Sequence, residues 1–155
     1  ERKKTLQLLA DFNEAQPKKP SFALYTPDAS FAYPGIANKG TVDYGQSMAE
    51  VFFRSKINLN ITLRSIHSGI PLRCFDIIAS GGFLLSNYQS DFPDCFTPGQ
   101  DFVAYDDLKQ LPELAEYYLS HEREREEIAE NGLETLRQHH TYQHRVQEML
   151  AVSFE

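Results

Sequence analysis

Four residues, Ser68, Gly69, Arg73 and Asp76, bring a hydroxyl, a glycine amide, a cation and a carboxylate together in one short stretch. An arginine near the start of a helix can bind a phosphate, because the helix dipole and its free N–H groups already favour an anion there. A carboxylate one turn further along can accept hydrogen bonds from both hydroxyls of a vicinal diol. These residue types predict a site for a ligand that carries both a phosphate and a diol.

The elements that position these residues lie within residues 55–82. A buried strand is predicted at Ile57–Ile61, followed by a polar loop, a helix from about Pro71 to Ser80 and a turn of small residues. Proline suits a first helical turn because its missing N–H has no partner there. In open α/β sheets, this order of strand, loop, helix and strand builds ligand crevices at the carboxyl ends of the strands.

Hydrophobic periodicity predicts the remaining elements. Further strands are predicted at Phe22–Tyr25, Thr41–Tyr44, Phe83–Leu85 and Phe102–Tyr105. Helices are predicted from Lys3 or Lys4 to Pro17, over Gly45–Ser55, from a cap at Asp106 or Asp107 to Leu119, and over Glu122–Gln138 and Thr141–Val152. Residues 27–40, with two prolines and two glycines, are predicted to form a loop. We therefore expect an α/β protein with a Rossmann-like, largely parallel sheet flanked by helices and a helical C-terminal tail.

Composition limits the possible classes of protein. The length of 155 residues is typical of a single domain with one hydrophobic core. The net charge of −7 argues against a general affinity for nucleic acid or anionic membranes. Cys74 and Cys95 show no metal spacing, so we expect reduced, buried thiols. The apolar runs are too short to span a membrane. These features predict a soluble cytoplasmic protein.

Two stretches carry a family resemblance: VFFRSKINLNITLRSIHSGIPLRCFDIIASGGFLLSNY at residues 51–88 and HEREREEIAENGLETLRQHHTYQHRVQEML at residues 121–150. Both are similar to group 1 glycosyltransferases of the GT-B fold, and the nearest branch is the spore-maturation type. The resemblance implies that residues 1–155 are a single nucleotide-sugar-binding domain, the C-terminal half of a two-domain enzyme. It also implies an N-terminal acceptor domain that is missing from this chain.

The resemblance also implies roles for individual residues. In the family, two acidic residues eight positions apart grip the sugar nucleotide. The second position matches Asp76, which would accept from the ribose hydroxyls. The first position falls on Ser68, which is a departure, since a serine cannot anchor the sugar as a carboxylate would. Arg64, Gly69 and Arg73 would hold the nucleotide and its diphosphate.

Plainer interpretations of these residues stay open. Arg73 could pair with Asp76 across one helical turn, and Arg64 could be solvated. His67 beside Ser68 is a candidate for acid–base catalysis, although no carboxylate nearby in the sequence orients it.

We expect no metal and no cofactor, with a nucleoside diphosphate sugar as the donor substrate. His140, His144 and Glu148 have the spacing of a metal site on one helical face, but a solvated polar stripe is favoured. No D-x-D motif appears, and four loop aspartates are expected outside the crevice: Asp91, Asp94, Asp106 and Asp107.

The predicted function is transfer of a sugar from a nucleoside diphosphate donor to an unknown acceptor. Donor and acceptor meet between two domains in this fold, so the isolated chain is expected to be inactive. A non-catalytic nucleotide-binding or interaction module on the same sheet is the alternative. A flavodoxin-like domain is a more distant one, because the acidic cluster it needs at the strand ends is not evident.

In the resembled fold, a strand and a glycine-bearing loop precede the first helix. That strand lies between the strands corresponding to Phe22–Tyr25 and Ile57–Ile61. We therefore expect either a gap filled by a segment of a second copy, or direct pairing of the two flanking strands. Self-association is favoured, because pairing across the gap would force the packed helices to shift.

Overall fold

The computed structural model describes residues 2–17, 19–63, 65–66 and 68–153. The helices are α1 (Arg2–Ala15), α2 (Gln46–Arg54), α3 (Leu72–Ala79), α4 (Leu111–Ser120), α5 (Glu122–His139) and α6 (Tyr142–Ser153). The strands are β1 (Phe22–Leu24), β2 (Ile36–Asn38), β3 (Asn58–Asn60), β4 (Leu84–Asn87) and β5 (Val103–Tyr105). Strands that alternate with helices, and then helices alone, confirm the predicted α/β class and the helical tail.

All the strand pairs in the described residues are parallel, as predicted, but they form two sheets rather than one. Strand β1 pairs with β2, and the second sheet has the order β3-β4-β5. The predicted parallel sheet is thus divided into two ladders, with the break between β1 and β3, where the missing strand was expected.

An apolar groove of about 1100 Å³ lies where the two sheets face each other. Strands β1 and β3 both contribute to its walls, and Leu9 of α1 and Leu111 of α4 also line it. In the part of the chain that the structure describes, β1 and β3 share no ladder. Direct pairing of these strands was therefore wrong, while filling of the gap by a second copy stays a prediction.

The core lies on both faces of the β3-β4-β5 sheet, because successive side chains of a strand point to opposite faces. Phe83 and Leu85 cluster with residues of α1, α4 and α5. Leu84 lies in a second cluster with Phe102 and with the buried side of α3. Burial on both faces agrees with the rule that parallel sheets are covered by helices.

The predicted position of the second strand was wrong. Strand β2 lies inside the segment predicted as loop, and the predicted strand Thr41–Tyr44 does not form. The Asn38 side chain accepts a hydrogen bond from the Gly40 amide at 2.9 Å, and Gly40 has a φ of 74°. This turn ends the strand, because an asparagine carbonyl that mimics the backbone favours a tight turn.

Helix α5 runs through Asn131 and Gly132, as predicted, and its glycine has a packing role. A Cβ atom at Gly132 would lie 2.3 Å from the carbonyl oxygen of Asp101. The helix therefore packs directly on the backbone before β5. Thr135 Oγ1 donates to Asp101 Oδ1 at 3.1 Å in the same contact.

Candidate functional site

Helix α3 presents Arg73 and Asp76 because its other side is buried. Cys74, Ile77 and Ile78 are at most 1% exposed and form the core side of the helix. Their spacing is that of one helical face. Arg73 is left exposed and Asp76 half-buried.

The Asp76 carboxylate accepts a hydrogen bond from the phenol of Tyr44. This bond raises the pKa of Tyr44 above its usual value. Tyr44 lies in the turn that leads into α2, where the Asp43 carboxylate accepts from the Gly45 amide at 3.1 Å. No local sequence signal predicts this contact, since 32 residues separate the two partners.

The predicted alternative, an ion pair between Arg73 and Asp76, does not form. The guanidinium of Arg73 has no hydrogen bond or ion pair with any residue that the structure describes. Arg73 contributes instead to the lining of the groove between the sheets. A cation without a protein partner, close to a carboxylate, can bind an anionic group of a ligand.

The loop before α3 is held in place by Asp91. The Gly69 N–H donates to Asp91 Oδ2 at 2.6 Å, and Ser90 Oγ donates to Asp91 Oδ1 at 2.9 Å. These two bonds, the Gly69 amide first, hold the pKa of Asp91 below its usual range. Asp91 therefore contacts the loop that carries the predicted site residue Gly69. Ser68 is exposed in this loop.

Arg64 and His67 lie outside the described residues. Their assigned roles, diphosphate binding and acid–base catalysis, therefore stay predictions.

A cavity of about 200 Å³ lies at the carboxyl ends of β3, β4 and β5, where the strand order predicted a crevice. Residues 87–90 line it together with Ile61 and Asp106. The expectation that Asp106 lies outside this crevice was therefore wrong.

A buried polar network supports this edge of the sheet. Asn60 Nδ2 donates to Thr62 Oγ1 and to Ser86 Oγ, both at 3.0 Å. The Thr62 amide donates to Asn87 Oδ1 at 2.8 Å. These bonds lock the end of β3 to the end of β4, because buried polar groups are costly unless paired.

His140 is neither part of a metal site nor part of a solvated stripe. It follows α5, and its Nε2 lies 2.8 Å from the backbone oxygen of Cys95. Its Nδ1 contacts Arg145, which donates to Glu148 at 2.6 Å. Within the described ranges, no three histidine, cysteine, aspartate or glutamate residues are placed to bind a metal ion.

Both cysteines are free thiols, and Cys74 is fully buried. Burial raises the pKa of Cys74 to about 12, which makes it unreactive. Cys95 is only half-buried, and desolvation also raises the pKa of its thiol.

The parallel strands and the helices around them form an α/β domain that is consistent with a Rossmann-like half, with polar residues lining the cavity at the strand ends. The model of the glycosyl transferase-like family matches residues 2–151. The chain belongs to this glycosyl transferase-like family, which confirms the predicted group 1 glycosyltransferase-like domain. Comparison with curated proteins gives no match. None of the described helices has both the length and the apolar character needed to cross a membrane.

Proposed function

We propose that this chain is the donor-binding domain of a glycosyltransferase and that it holds a nucleoside diphosphate sugar. One observation carries the proposal: in a glycosyl transferase-like chain, Arg73 lies one helical turn from the Asp76 carboxylate and pairs with none of the residues that the structure describes. The pair offers one group for a phosphate and one for a diol.

Each side chain has a distinct task in this proposal. Asp76 accepts hydrogen bonds from the ribose hydroxyls. Arg73 pairs with the diphosphate, on which negative charge grows as its bond to the sugar breaks. The sugar passes to a hydroxyl of the acceptor, which loses its proton, and His67 is the proposed group for that proton transfer. Arg64 is a second proposed ligand of the diphosphate.

The loop amide of Gly69 is a weaker candidate for phosphate binding in this conformation. It already donates to Asp91 at 2.6 Å. A phosphate could reach this amide only by displacing the Asp91 carboxylate, and the two negative charges would repel each other. Phosphate binding here therefore needs a rearrangement of the loop.

The acceptor is proposed to bind on a second domain. Transfer then depends on positioning by both domains, and residues 1–155 supply the donor half. The spore-maturation-type branch and the cytoplasmic location belong to the same proposal.

Titration calorimetry with uridine, guanosine, adenosine and cytidine diphosphates tests donor binding. We expect one of them to bind, and Asp76→Ala to weaken it by about 1.5–3 kcal/mol, the range for a hydrogen bond to a charged group. Arg73→Ala should weaken the diphosphate far more than the bare nucleoside. Glu130→Ala is the matched control, because Glu130 is an exposed carboxylate on α5.

Two results would contradict the proposal. The first is the absence of binding by all four diphosphates at millimolar concentration, which favours a non-catalytic interaction module. The second is equal affinity of the parent and Asp76→Ala, which removes the ribose assignment.

A further inference from the structure

We propose that Tyr44 is a positioning residue for the ribose, because its phenol fixes the Asp76 carboxylate in the orientation that accepts a diol. This inference rests on the proposed function. The inference adds Tyr44, which lies in the turn before α2, to the residues of α3. Its evidence is the hydrogen bond from the Tyr44 phenol to the Asp76 carboxylate.

An aspartate on an exposed helix face needs such a constraint. The terminal torsion of its side chain is broad, so the plane of the carboxylate is not fixed by its own rotamer. A vicinal diol binds well only when both of its hydroxyls reach acceptor sites together. A hydrogen bond to one carboxylate oxygen restricts this freedom before the ligand arrives.

The bond to Tyr44 leaves capacity for the ligand. An ionised carboxylate has about four acceptor sites, and the phenol uses one of them. The phenolic oxygen can itself accept a hydrogen bond from a ribose hydroxyl. Tyr44 is 66% exposed, so a ligand can reach this edge of the pair.

The backbone around Tyr44 is held firmly enough to aim the phenol. The Met48 amide donates to the Asp43 carbonyl at 3.1 Å, and the Gly45 amide donates to the Asp43 carboxylate at 3.1 Å. Helix α2, which follows this turn, packs against α3. The two partners are therefore carried by adjoining elements.

The pKa of Tyr44 is consistent with this role. The bond to Asp76 raises it, so the phenol stays protonated and remains a donor at neutral and mildly alkaline pH. Asp76 then keeps its hydrogen-bond donor throughout the range in which nucleotide binding is measured.

Calorimetry on the folded chain tests the inference with two ligands and five proteins. The ligands are the nucleoside diphosphate that binds most tightly and its 2′,3′-dideoxy form. The proteins are the parent, Tyr44→Phe, Asp76→Asn, the double variant and Tyr117→Phe. Tyr117 is the matched control, because its phenol donates to the Glu124 carboxylate at 2.8 Å elsewhere in the structure.

We expect Tyr44→Phe to weaken the ribose ligand about three- to tenfold, as expected for loss of one modest hydrogen bond. The dideoxy ligand should lose nothing, because it has no diol to present. In the Asp76→Asn background, Tyr44→Phe should add less than twofold, since Tyr44 acts through Asp76. Tyr117→Phe should match the parent.

Three results would overturn the role of Tyr44. An unchanged affinity of Tyr44→Phe for the ribose ligand is the first. An equal loss for both ligands is the second, because it would mean that Tyr44 contacts another part of the nucleotide or supports the fold. In either case the proposed function still holds if Asp76→Asn weakens binding of the ribose ligand but not of the dideoxy ligand. The third, no nucleotide binding by the parent, overturns the role and the proposed function together.

Discussion

Replacement of Gly132 by alanine tests whether α5 packs directly on the backbone that precedes β5. An added Cβ atom would lie 2.3 Å from the Asp101 carbonyl oxygen, 3.3 Å from its carbonyl carbon and 3.4 Å from Ile78 Cγ2. The first contact is with backbone, so no rotamer change relieves it. The helix must move away from the sheet by a substantial fraction of an ångström.

The magnitude follows from three contributions. Overpacking of this kind costs about 1–3 kcal/mol. Displacement of α5 also weakens the hydrogen bond from Thr135 to Asp101, which is worth about 1 kcal/mol. Alanine in a helix interior offsets this by about 1 kcal/mol relative to glycine. The net expectation is a loss of about 1–3 kcal/mol in the free energy of unfolding.

Thermal and urea denaturation followed by circular dichroism would measure this loss. A domain of this size should melt about 3–10 °C lower than the parent, at about 2–4 °C per kcal/mol. Glu130→Ala is the control on the same helix, because Glu130 is exposed and its replacement should change stability by less than about 0.5 kcal/mol. A Gly132→Ala protein that melts at or above the parent temperature would refute the close approach of α5 to Asp101.

Two pH-dependent predictions follow. Burial, the largest contribution, lowers the pKa of His140 from 6.5, so the folded state binds fewer protons than the unfolded state. Stability should therefore fall as the pH drops from about 6.5 through the folded value, and thermal melts should show a smaller fall for His140→Gln. In the loop before α3, the Gly69 amide shift in NMR spectra should follow the titration of Asp91 with a midpoint below 3.8, because that amide stabilises the carboxylate. A midpoint at or above 3.8 would contradict the bond between the Gly69 amide and Asp91. An unchanged pH dependence of stability in His140→Gln would contradict the burial of His140.

Local sequence signals were sufficient for the helices that carry the site. Pro71 precedes α3 directly, and the apolar pattern on both sides of Asn131–Gly132 correctly predicted a continuous α5. Such patterns are reliable because they reflect which face of a helix the core covers. The segment around β2 was misassigned because its three residues are set by pairing with β1, not by an alternating pattern of their own.

The run of charges at the start of α5 shows a different limit. Its six charged residues, at positions 122–127, are typical of a solvated helix face, yet Arg125 is only 5% exposed. Its guanidinium donates to the Tyr118 carbonyl at 2.6 Å and to Glu122 at 3.0 Å. Composition alone could not identify which residue of this run is buried against α4. The Tyr44–Asp76 bond could not be predicted for a related reason, since it joins residues on separate elements.

The separation of the strands into two ladders makes the cooperativity of the domain uneven. Backbone hydrogen bonds do not transmit order from β1 to β3 in the described residues, so helices and side chains must couple the two sheets. We therefore expect opening of the β1–β2 pair to leave the β3-β4-β5 ladder intact and to need less free energy than global unfolding. The β3-β4-β5 sheet contains Asn60 and Asn87, and helix α3 follows β3 in the chain. We expect helix α3, with Asp76 and Arg73, to stay folded on the β3-β4-β5 sheet when the β1–β2 pair opens.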